Sequence, residues 1–76
     1  MDGYYVSQKV RHDDGSFTYH LAFARADGGI DANAGTVTEH AHGLGVEVRD
    51  ANREAVTLGS RTATAMCAAV INWLRA

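Results

Sequence analysis

The strongest pattern of apolar and polar positions lies in the first 24 residues. Val6, Val10, Phe17, Tyr19, Leu21 and Phe23 recur at even spacing on either side of "DDGS", residues 13–16. A period of two marks strands with one buried face. Asp14-Gly15 suits the two central positions of a type I′ turn, where both residues take positive φ. A two-residue loop sets Asp13 opposite Ser16, His12 opposite Phe17, Val10 opposite Tyr19, Gln8 opposite Leu21 and Val6 opposite Phe23. The predicted hairpin then has an apolar face of Val6, Val10, Phe17, Tyr19, Leu21 and Phe23. Its other face carries Tyr5, Ser7, Lys9, Arg11, Thr18, His20, Ala22 and Ala24.

The pattern weakens after that. "ADGGIDANAG", residues 26–35, reads as a loop by composition. Residues 36–41 read as a strand, and Gly43 and Gly45 allow a bend or bulge. Leu44, Val46 and Val48 alternate with polar residues and predict another strand. "DANRE" turns the chain, and residues 55–58 predict a short return strand. Asp31-Ala-Asn33 and Asp50-Ala-Asn52 precede Val37-Thr38 and Val56-Thr57 at equal offsets, which reads as two similar Asx-type turns, each launching a strand.

The period then changes to that of a helix. Ala63, Met66, Cys67, Val70, Trp73 and Leu74 recur at helical spacing behind Ser60, a good N-cap, with Arg75 favourable at the C-terminal end of the dipole. The predicted fold is α+β: an antiparallel sheet of four to five strands with one C-terminal helix packed on one face. The aromatic face of the first hairpin is the expected bed for Val70 and Trp73.

Composition narrows the picture. Seventy-six residues make a single domain, 1–76. Cys67 is alone, which excludes an intrachain disulfide and a Cys-rich zinc site and suits a reducing compartment. "MDGYYVSQKV" lacks the basic start and apolar run of a signal peptide, and no stretch reaches the ~20 apolar residues of a membrane span. The expected location is cytoplasmic. Seven Lys and Arg stand against nine Asp and Glu, for a net charge of −2. Phosphate binding favours a basic excess, so the charge argues against direct contact with nucleic acid.

The candidate chemistry is sparse. In "TEHAHGLG", residues 38–45, a strand would point His40 and His42 to one side, and His20 or His12 would have to join them from the hairpin. Zinc takes three or four protein ligands, so the pair by itself is not a metal site; a small metal-binding domain built on these histidines is a secondary reading. Cys67 falls on the apolar stripe of the helix, where a buried thiol is ordinary core. Ser16 and Ser60 have turn and cap duties. Asp31-x-Asn33-x-Gly35 opens like a calcium loop, but His42 stands at position twelve, where a glutamate is needed. "GLGVEV" leads into a strand, not a helix N-terminus, and cradles no phosphate. No catalytic residue, cofactor or metal is expected.

Two stretches, "YYVSQKVRHDDGSFTYHLAF" and "LGSRTATAMCAAVINWL", together about half the chain, resemble the HicB-type antitoxin domain. The first matches its strand, DG turn and strand; the second matches its Ala-rich helix entered through a glycine. That resemblance implies an antitoxin or nucleic-acid-associated module, although Arg61-Thr62 stands where the family has an acidic helix start. The format of the whole chain is one small mildly acidic sheet-plus-helix domain without a catalytic motif. In this it resembles the small phage-encoded anti-CRISPR proteins. That likeness implies a non-enzymatic inhibitor, monomeric or weakly dimeric, in the host cytoplasm. It would bind a CRISPR effector complex and block target DNA. The turn acids Asp13, Asp14, Asp27 and Asp31 are then expected to face a basic groove, with Tyr5, Lys9 and Arg11 on an outer partner-binding face.

Overall fold

A computed structural model describes residues 3–76. β1 (Gly3–Arg11), β2 (Phe17–Ala24), β3 (Ile30–Glu39) and β4 (Val46–Asp50) form one antiparallel meander in the order β1-β2-β3-β4, and α1 (Arg61–Arg75) closes the chain. The α+β architecture, with a four-stranded sheet and one C-terminal helix, is the expected one. The predicted return strand at 55–58 reduces to a single bridge between Arg49 and Ala55, with Val56 N donating to Val48 O at 2.8 Å.

The first hairpin differs from expectation in its loop. His12 N donates to Ser16 O at 2.9 Å and Gly15 N to His12 O at 3.1 Å. The loop therefore has three residues, Asp13-Asp14-Gly15, and only Gly15 has positive φ, at 88°. This is a type I turn completed by a left-handed glycine. Asp14 selects it: its Oδ1 accepts from Ser16 N at 2.9 Å and from Ser16 Oγ at 2.6 Å, leaving Ser16 buried and satisfied.

The extra loop residue changes the register. Arg11 faces Phe17 and Lys9 faces Tyr19, so Lys9 and Arg11 lie on the face of the β2 aromatics, not opposite them. Val10 faces Thr18 on the other side. A bulge between Val6 and Gln8 then inverts β1 a second time, and Val6 faces Leu21 on the apolar side. A one-residue change flips every side chain that follows, and two such changes restore the original sense. The predicted faces hold for β2, Val6 and Tyr5, and fail between them for Lys9, Val10 and Arg11.

The predicted loop at 26–35 is mostly strand. Only Arg25–Gly29 turns, with Arg25 N donating to Gly29 O at 2.8 Å and Gly28 N to Arg25 O at 3.1 Å. This repeats the first loop: Gly28 has φ 89°, and Asp27 Oδ1 accepts from Gly29 N at 2.8 Å. β3 then runs along β2, with an irregularity where Ala22 alone faces residues 32–34. The Asp31-Ala-Asn33 echo thus falls inside a strand, whereas Asp50-Ala-Asn52 opens a turn. That turn is a third loop of the same design. Asp50 N donates to Glu54 O at 2.9 Å and Arg53 N to Asp50 O at 3.0 Å. Here the left-handed place is taken by Arg53, with φ 65°.

Tyr19, Leu21, Val37 and Val48 from the sheet meet Ala63, Met66 and Val70 from the helix. Leu21 and Met66 are fully buried, each contributing about 1.5–3 kcal/mol. Ser60 caps the helix as expected, its Oγ accepting from Ala63 N at 3.1 Å. Gly35 is needed for close approach: a Cβ there would lie 2.5 Å from both Met66 Cε and Arg49 O. Among the described residues no helix is long and apolar enough to cross a membrane.

Candidate functional site

The helix face of the sheet is only partly covered. One row across it is Lys9, Tyr19, Val37, Val48, and the next is Arg11, Phe17, Glu39, Val46. Trp73, near the end of α1, packs edge-on against Tyr19 with ring centroids 6.0 Å apart, yet remains 42% exposed. Lys9 Nζ lies 4.4 Å from the Phe17 ring centroid and 5.8 Å from that of Trp73. A desolvated contact of this kind is worth up to about 2 kcal/mol, and less at an exposed site. Ile71 and Leu74 stand exposed on the same stretch of helix. Phe17, Tyr19 and Trp73 with the Lys9 cation laid among them form an open surface, not a cleft.

The predicted contact residues do not form one face. Tyr5 is exposed and faces Ala22 on the open side of the sheet. Lys9 and Arg11 are on the helix side, because the three-residue loop inverted their half of β1. The four turn acids divide between the ends of the hairpin: Asp13 and Asp14 at the first loop, Asp27 and Asp31 around the second. β2 has eight residues, and at ~3.4 Å per residue it holds the two pairs roughly 27 Å apart. Asp27 and Asp31 both contact Arg25, which offsets their charge locally. Asp14 is engaged by Ser16, whose hydroxyl and then backbone N–H hold its carboxyl below the usual carboxylate range. Asp14 and Asp27 brace their own loops, Asp31 pairs with Arg25, and the four acids do not present a shared negative surface.

The open face is a polar ladder. Val10, Thr18, Thr38 and Glu47 form one row, and Gln8, His20, Thr36 and Arg49 the next. His12 Nε2 lies 2.7 Å from Thr18 Oγ1, which lies 3.1 Å from Thr38 Oγ1. Glu47 pairs with Arg49 at 2.9 Å. A cross-strand polar pair such as Thr18–Thr38 stabilises a water-facing sheet surface by about 0.2–1 kcal/mol.

The histidine pair is separated by a bend. β3 ends at Glu39, and residues 41–43 form a short 3-10 turn in which His42 takes φ 60°. His40 and His42 therefore do not share one side of a strand, while His12 is engaged by Thr18 and His20 stands in a different row of the open face. No group of three His, Cys, Asp or Glu side chains able to hold a metal occurs among the described residues. Cys67 is half-buried on the flank of the helix, and burial pushes its thiol pKa up.

Sequence reasoning missed Leu74 and half of Trp73 as surface, since both were assigned to the buried stripe. The available signal was phase. Ala63, Met66, Val70 and Trp73 follow one line, while Cys67 and Leu74 sit one residue later, on the flank. Comparison with known protein families, curated proteins and solved structures finds no match for this chain.

Proposed function

We propose that this domain is a non-catalytic, protein-binding inhibitor of the anti-CRISPR-like kind, acting in the cytoplasm through the helix side of its sheet. The observation that carries this reading is Trp73, half-exposed against Tyr19 and beside Lys9, with Leu74 and Ile71 also exposed on the last turns of the helix. Interface hot spots are enriched in tryptophan, and Trp73 is the aromatic anchor here. A CRISPR effector complex is the partner class suggested by the chain's format.

Affinity purification with mass spectrometry, alongside pull-downs on CRISPR effector complexes, tests the proposal. Leu74→Arg and Ile71→Arg, both at exposed sites, are expected to abolish capture while the domain stays folded. Absence of effector binding, together with no protection of phage in cells, would overturn it.

One observation favours a second reading. Lys9 and Arg11 share a face with Phe17, Tyr19 and Trp73, and stacked aromatics with cations also suit single-stranded nucleic acid. The net charge of −2 opposes this. A gel shift of single-stranded nucleic acid that weakens with salt, and is lost in Lys9→Ala, would replace the first reading with an antitoxin-like or nucleic-acid-associated one.

A further inference from the structure

The open face carries a hollow of about 390 Å³ beside the irregularity of β3, lined by His20, Asn33, Gly35, Thr36, Asp50 and Arg53 among others. Two features shape it. Gly35 lets β3 lie close beneath Met66 on the helix side, and the strand's extra residues at 32–34 spread it away from Ala22 on β2. The far wall is the Asp50–Glu54 loop, which is tightly held. Asp50 Oδ1 accepts from Asn52 N at 2.9 Å and from Glu54 N at 3.0 Å, and Arg49 Nη1 donates to Arg53 O at 2.8 Å.

The identity of Arg53 is the anomaly. The equivalent positions of the other two loops are Gly15 at φ 88° and Gly28 at φ 89°. Arg53 takes the same left-handed conformation with a full side chain, and strain of this kind concentrates at functional sites. Among its charged neighbours only the Glu54 carboxylate, exposed at the end of the loop, is without a partner among the described residues. Arg25 and Arg49 each pair with a carboxylate, while Arg53 forms no ion pair among the described residues. Glu47 is taken by Arg49, and the Asp50 carboxylate is turned into its own loop. The side chains of Asn33 and Thr36 and the His20 ring have no hydrogen-bond partner among the described residues.

We propose that this hollow binds a compact oxyanion, with the Arg53 guanidinium as its principal contact and His20, Asn33 and Thr36 as further donors. A planar guanidinium matches the paired oxygens of a phosphate or carboxylate group, and both sources share that chemistry. The site lies on the face opposite Trp73, so it is independent of the partner surface described above.

The test is an amide NMR titration of the full chain with sodium phosphate and, separately, sodium citrate, with ionic strength held constant by sodium chloride. Saturable shifts confined to His20, Asn33, Thr36 and Arg53 are expected with at least one anion, and which anion saturates tells phosphate from carboxylate. Arg53→Gly should keep or raise the thermal midpoint while weakening binding at least tenfold. Arg53→Asn, which also tolerates the left-handed backbone, should behave likewise. Shifts that remain linear, spread over all the arginines, or persist unchanged in both variants would overturn the proposal.

Discussion

The loops at Asp14-Gly15 and Asn52-Arg53 share one hydrogen-bond pattern and differ at the residue that must turn left-handed. In the first, glycine takes φ 88° without steric cost; in the second, arginine takes φ 65° against its own Cβ. The first loop is held by Asp14 acting on Ser16, while the other is held by Asp50 acting on two backbone N–H groups and by Arg49 acting on Arg53 O. The same backbone can thus be obtained from a permissive residue or imposed on a reluctant one by surrounding bonds.

Substitutions sharpen this contrast, and the largest effect lies at a third kind of position. Gly35 answers to close approach as well as to backbone conformation, with Met66 Cε and Arg49 O occupying the Cβ space. Gly35→Ala is expected to cost about 3 kcal/mol, from overpacking beneath a fully buried Met66 combined with backbone strain. Urea unfolding should show the midpoint falling with little change in slope. Gly15→Ala meets only Ala41 Cβ at 3.7 Å, so its cost is that of the left-handed backbone alone, about 1–2 kcal/mol. A cost as large as that of Gly35→Ala would mean that the loop is constrained by packing as well.

Arg53→Gly reverses the comparison. It removes strain and is expected to stabilise the domain by about 0.5–1 kcal/mol, read as a higher thermal midpoint. Destabilisation instead would show that the Arg53 side chain holds the fold. The smallest effect concerns acid. The Asp14 carboxyl lies below the ordinary range because Ser16 donates to its charged form. A depressed carboxyl stabilises the native state above its unfolded pKa, and that contribution is lost as pH falls through the lower native value. The difference in thermal midpoint between the native protein and Asp14→Ala should therefore be constant near neutral pH. It should shrink on acidification below the usual carboxylate range. A difference independent of pH would show that Asp14 acts by backbone preference and not by charge.

Much of the fold was legible because its signals are local. The alternation from Phe17 to Phe23 marks β2 and its buried side, and Ser60 followed by a helical stripe marks α1 and its cap. The first half of β3 was not legible. "IDANAG" has no apolar alternation, and it is extended because β2 pairs with it at both ends, at Ile30, Asp31 and Gly35. The exposure of Trp73 and Leu74 was half legible, since the stripe is visible but how far the sheet covers its end is not. The hollow at Arg53 was invisible: its residues come from β2, β3 and the loop after β4, and nothing in "DANRE" announces a left-handed arginine.

The sequence by itself determined the first hairpin, the apolar side of β2 and the capped C-terminal helix, because periodicity and capping act within a few residues. Only the tertiary structure decided which side Lys9 and Arg11 take. It also separated His40 from His42 at a bend and set Arg53 beside His20. Register is a property of two strands together. A single added loop residue, or one bulge at Ser7, reverses a face without altering the local pattern that predicted it.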